Sequence, residues 1–110
     1  MYDLYNELMN KSKELDMSIK ALRTTSKEYA EAFANYRMEL AKELVKLRDE
    51  GYAISLAGDI ARGKREIAML KVKEITTEAV YKANLESINA IKLQIKLLDA
   101  QITREWSHEK

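Results

Sequence analysis

The chain has 110 residues, 46% hydrophobic and 34% charged, which suits a single domain and excludes both a disordered tail and a membrane-embedded chain. Its formal net charge is +1, from 19 basic and 18 acidic side chains, so it has little long-range attraction for nucleic acid or anionic lipid. It has no cysteine, which removes a disulfide framework, a thiolate metal site and a cysteine nucleophile.

The opening stretch, MYDLYNELMNKSKEL, lacks the basic start and continuous apolar segment of a signal peptide. No apolar run approaches the roughly 20 residues needed to cross a bilayer. The expectation is a cytoplasmic protein with no membrane partner.

The chain has no proline, and its only glycines are Gly51, Gly58 and Gly63. From residue 2 to residue 50 nothing breaks a helix. Leu15, Ile19, Leu22, Ser26, Tyr29, Phe33, Tyr36, Leu40, Leu44 and Leu47 recur at steps of three and four, which places them on one side of a long helix over about residues 2–50. The pairs Glu7/Lys11 and Asp16/Lys20 add about 0.2–0.5 kcal/mol each. The one candidate break is Thr24–Ser26, where Thr25 and Glu28 have the spacing of a capping box. The apolar phase runs straight through it and favours one continuous helix. The alternative is a chain that folds back there into a three-helix monomer.

Glu50-Gly51 reads as a helix stop, with Gly51 in the left-handed cap conformation. Ser55 then caps a short connector helix over about 56–62, which Gly63 ends by the same logic. Gly58 lies inside that helix, where close packing across the bend is the available reason for it.

A second long helix follows over about 64–106. Ile67, Leu70, Tyr81, Ile88, Ile91, Ile95, Leu98 and Ile102 form one stripe, interrupted by Thr77 and Asn84. Val72, Ala79, Ala83, Ala90, Leu93, Leu97 and Ala100 form another, displaced by two residues, or about 200°. The two long helices match in length and share a short connection, so they are expected to pack as an elongated antiparallel hairpin. Placing the bend near residue 57 sets Leu47 against Ile67, Phe33 against Tyr81 and Leu8 near Trp106. One hairpin covers only one of the two stripes. The simplest cover for the other is a second copy, giving an all-α homodimer in the form of a four-helix bundle.

Chemistry-bearing patterns are scarce. The single His108 lies two positions before the last residue given, so the sequence cannot supply two EXXH motifs, and no GXSXG turn, phosphate loop or dinucleotide fingerprint occurs. Glu39/Glu43 and Glu74/Glu78 are carboxylate pairs at i,i+4, read as solvated surface groups rather than a cation site. Ser55 has no base near it in sequence. The expectation is a protein without enzymatic activity, metal or cofactor. Around the connector, Arg62, Lys64, Arg65, Lys71 and Lys73 form a local basic excess, and Tyr52 sits in the bend, so these six residues are the candidate contacts for a partner or nucleic acid. Over residues 48–74 the acids reduce that excess to +1, and nucleic-acid binding is not favoured.

The run LRDEGYAISLAGDIARGKREIA, followed by EAVYKANLESINAIKLQIKLLDAQITREW, resembles small uncharacterised helical-hairpin proteins of bacteriophages and prophages of Gram-positive bacteria. The similarity covers roughly residues 40–106, and its most particular pieces are EGY, ARG and REW. It implies a small accessory phage protein in the bacterial host cytoplasm, and it transfers no catalytic or binding residues. Such a protein acts through helical surfaces on a host or phage protein, as an inhibitor of a host defence protein or an aid to phage replication or recombination. The alternatives are nucleic-acid binding through the connector and a purely structural coiled coil.

Overall fold

The structure is a computed structural model and describes residues 2–109. It comprises three helices, α1 (Tyr2–Asp49), α2 (Ile54–Gly63) and α3 (Arg65–Glu109), and the long helices pack against each other as a hairpin. α1 runs unbroken through Thr24–Ser26, so the fold-back into a three-helix monomer does not occur. Thr25 and Ser26 are half-buried on the same side as Leu22 and Tyr29. A seam position that keeps its phase gives the helix no reason to end there.

The inward positions of α1 from Leu4 to Tyr36 step alternately by four and three, through Leu8, Lys11, Leu15, Ser18, Leu22, Thr25, Tyr29 and Ala32. In α3 the inward positions Ile67, Leu70, Glu74, Thr77, Tyr81, Asn84, Ile88, Ile91, Ile95, Leu98 and Ile102 obey the same rule. A strict seven-residue repeat is the signature of a left-handed coiled-coil seam.

Contacts divide the chain into two units, Thr25–Tyr81 and a second formed by residues 1–24 with 82–110. In the first, Tyr36, Leu40, Leu47, Ala57, Ala61 and Ile67 form the core, with Leu44, Ile60 and Leu70 against it. Ala57 and Ala61 are fully buried, and their small side chains bring the α2 backbone close to that core. Glu43 meets Lys64, the Lys71 ammonium lies 4.8 Å from the Tyr36 ring centre, and Tyr29 stacks on Tyr81. α1 numbers fall as α3 numbers rise, so the pair is antiparallel.

Tyr81 therefore pairs with Tyr29 and not with Phe33, one helical turn from the expected register. Glu43 lies opposite Lys64, so the last turn and a half of α1 extends beyond the start of α3, and α2 fills the space. The seam passes through Ala32, 2% exposed, while Phe33 is 44% exposed. One residue along a helix is a rotation of 100°, enough to carry Phe33 off the seam. There it meets the edge of Tyr29 and lies 5.8 Å from the Arg37 guanidinium.

In the second unit Ile88 and Ile91 are buried and Ile95, Leu98 and Ile102 are half-buried, as are Leu4, Leu8, Leu15 and Leu22 of α1. Ile19, expected on this seam, is exposed, and Ser18 takes its place. The Asn84 side-chain amide donates to the Ser18 carbonyl at 3.0 Å, joining the two helices through a polar seam position.

The connector departs from the expected caps at two points. Gly51 does close α1: its φ is +100°, its N–H donates to the Arg48 carbonyl and that of Tyr52 to the Leu47 carbonyl, which is a Schellman cap. Ser55, however, is not a cap. α2 begins at Ile54, and the capping position is Ala53, in extended conformation and without a side-chain cap bond. Gly63 is not left-handed either. α2 and α3 are separated by Lys64 alone, whose extended backbone (φ −67°, ψ 137°) ends one helix and starts the next, its N–H held by the Ala61 carbonyl at 3.2 Å.

Candidate functional surfaces

Two surfaces concentrate the residues singled out by the sequence. The first is the outer side of α3. Val72, Ala79, Ala83, Ala90, Leu93, Leu97 and Ala100 are all exposed, with Leu93 at 56% and Leu97 at 62%. They lie about 180–200° from the inward seam and repeat with it every seven residues. Met69 and Val80 add to the exposed apolar surface of the same helix. A side chain of leucine size contributes roughly 1.5–3 kcal/mol when buried, so this stripe is a favourable place to seat another helix.

The second surface is the connector, where the structure does not gather the basic residues into one face. Lys64 is bonded to the carboxylate of Glu43. This bond holds the Glu43 carboxyl below the ordinary glutamate value, against the opposing effect of desolvation. The same bond raises the Lys64 ammonium above the ordinary lysine value. Lys71 donates to Glu74 at 3.2 Å while lying over the Tyr36 ring. Lys73, two residues on, points to the other side of the helix, where with Thr77 it lines a cleft of about 300 Å³ opposite Glu28, Glu31 and Asn35. Arg65 is exposed, and Arg62 folds back along α2 over Gly58. The Tyr52 carbonyl accepts a 2.8 Å bond from Arg48, and its side chain is partly exposed.

Gly58 is buried, and a β-carbon there meets only the Arg62 guanidinium within 4 Å, at 2.8 Å. No neighbour from α1 or α3 requires a glycine at this position, contrary to the expectation of close packing across the bend.

Of the carboxylates read as solvated, Glu43 is half-buried in its bond to Lys64 and Glu74 is placed most differently. Glu74 is 6% exposed rather than a solvated surface carboxylate. The available signal was its position on the seam between Leu70 and Thr77. Glu39 bonds to Lys42, and Lys11 pairs with Glu14 rather than Glu7. His108 is exposed in the last turns of α3. Among the described residues no group of three or more His, Cys, Asp or Glu side chains is placed to hold a metal ion, and no helix is long and apolar enough to cross a membrane.

Comparison with protein-family models, with curated proteins and with solved structures gives no match for this chain.

Proposed function

We propose that this is a non-enzymatic accessory protein of phage type that works by protein–protein binding through its helical surfaces in the bacterial cytoplasm. The observation that carries the reading is the exposed apolar stripe on the outer side of α3, which a single hairpin leaves uncovered. Its first partner is a second copy, seated on that stripe to form a four-helix bundle. The remaining helical surface is then available to a host or phage protein, to inhibit a defence protein or to assist replication or recombination. A rigid helix face suits that work because it docks with little ordering cost. Engagement of Lys64 by Glu43 and of Lys71 by Glu74 counts against nucleic acid as the partner.

The test is affinity capture from a Gram-positive host lysate, run side by side with the wild-type chain and a Leu93→Asp/Leu97→Asp variant, together with sedimentation equilibrium of both. Stoichiometric recovery of one host or phage protein with a concentration-dependent dimer supports the reading. A chain that stays monomeric and binds duplex DNA in a salt-dependent way overturns it.

A further inference from the structure

The outer stripe of α3 is self-complementary when read against its own reverse. From Glu86 it continues through Ala90, Leu93, Leu97 and Ala100 to Arg104, at steps of four, three, four, three and four. All six residues are exposed. Reversing the order leaves the spacing unchanged and sets Glu86 opposite Arg104, Ala90 opposite Ala100 and Leu93 opposite Leu97.

We infer that two copies of this chain pair through α3 in antiparallel orientation, about a two-fold axis at the level of Ile95 but on the opposite, outer side of the helix. This deepens the reading of the stripe as a homodimer face and rests on it. The four leucines form the centre, and the alanines on either side let the helix axes approach closely. An ion pair between Glu86 and the second copy's Arg104 closes each end. Parallel pairing loses this match, because it stacks Glu86 on Glu86 and Arg104 on Arg104. The two-fold symmetry makes the contact isologous, so it closes at two copies and does not propagate. Lys96 is the one unfavourable element, since the axis sets it beside its own copy at the seam's edge. Its long stem lets the ammonium turn out into water. The pairing uses the stretch from Glu86 to Arg104 and leaves Val72, Ala79 and Ala83 outside it.

Three measurements test the pairing. In sedimentation equilibrium at low salt, Glu86→Arg and Arg104→Glu each weaken the dimer by roughly tenfold or more, since each change acts twice across the axis, and the double reversal returns affinity to near wild type. Lys96→Gln strengthens the dimer. Because the chain has no cysteine, Gln94→Cys and Thr103→Cys report the geometry directly. With a short bismaleimide, Gln94→Cys links to its own copy and Thr103→Cys does not, since two Thr103 residues stand roughly 24 Å apart along the axis. If Thr103→Cys cross-links as readily as Gln94→Cys, or the double reversal fails to restore binding, the antiparallel pairing is wrong while the dimer stands. A wild-type chain that is monomeric at 100-fold above the working concentration removes both. All these positions are exposed, so an unchanged helical circular dichroism spectrum shows that the variants remain folded.

Discussion

Tyr29 of α1 stacks on Tyr81 of α3, ring centres 5.7 Å apart and planes 28° from parallel. Both rings are half-buried on the seam, so this single contact ties the antiparallel register to two particular residues. Aromatic pairs of this kind add about 0.5–1.5 kcal/mol beyond the area they bury. A double-mutant cycle with Tyr29→Leu and Tyr81→Leu, followed by urea denaturation, is expected to return a coupling energy in that range. The same cycle on Phe33 and Tyr81 is expected to return a value near zero, and the reverse result restores the other register.

The glycines of the connector are expected to behave oppositely. Gly51→Ala forces a side chain onto a backbone at φ +100°, and is expected to cost about 1–2 kcal/mol. Gly58→Ala lies within a helix and displaces only the mobile end of Arg62, so it is expected to stabilise the protein by about 0.5–1 kcal/mol. Melting temperatures of the two variants against wild type decide it. A loss at Gly58 as large as that at Gly51 shows a packing role there.

The bond between Glu43 and Lys64 makes stability depend on pH at both extremes. The Glu43 carboxyl sits below its unfolded value, so its contribution is complete above the ordinary glutamate range and is lost as pH falls through the lowered value. The Lys64 ammonium sits above its unfolded value, so its contribution is complete below the ordinary lysine range and is lost as pH rises through the raised value. Glu43→Gln is expected to flatten the melting temperature against pH on the acid side and to remove the Lys64 effect on the alkaline side. An unchanged acid limb contradicts the assignment.

Asn84 and Glu74 occupy seam positions where a coiled coil prefers apolar residues. Asn84→Leu and Glu74→Leu are each expected to raise stability, by about 1 kcal/mol, because well-packed apolar replacement of a polar group on the seam, half-buried at Asn84 and buried at Glu74, is commonly neutral to stabilising. Asn84→Leu also removes the bond to the Ser18 carbonyl, and with it a contact that pins the alignment of its unit. Thermal denaturation measures the gain, and hydrogen exchange of α1 amides around Ser18 measures the loosening. A large loss of stability in either variant means the polar group is required.

These residues also show where the amino-acid pattern was legible and where it was not. The inward face of α3 could be read because its repeat never slips, and the continuity of α1 followed from the same phase across Thr25 and Ser26. Phe33 was misread because apolar character and a step of four both favoured it over Ala32, and the choice between them depends on the supercoil. Glu74 was misread because carboxylates are assumed to be wet, although its place in the repeat marked it as inward. Ser55 failed as a cap because α2 begins earlier than its side chain suggested. The register was misjudged because the overlap of α1 past the start of α3 depends on how α2 packs, which local pattern does not encode.

The repeat of α3 also limits how the protein can vary in length. Removing or adding one residue within that helix turns everything beyond it by 100°, and because the inner and outer stripes share one period, both go out of phase together. Such a change cannot sacrifice the outside to save the inside. Substitution is freest at the exposed positions, but length is open only in blocks of seven, and each block needs a matching one in α1. Natural variants of this chain are therefore expected to differ in size by whole double blocks, and to carry any other insertion or deletion in the few residues between Glu50 and Lys64.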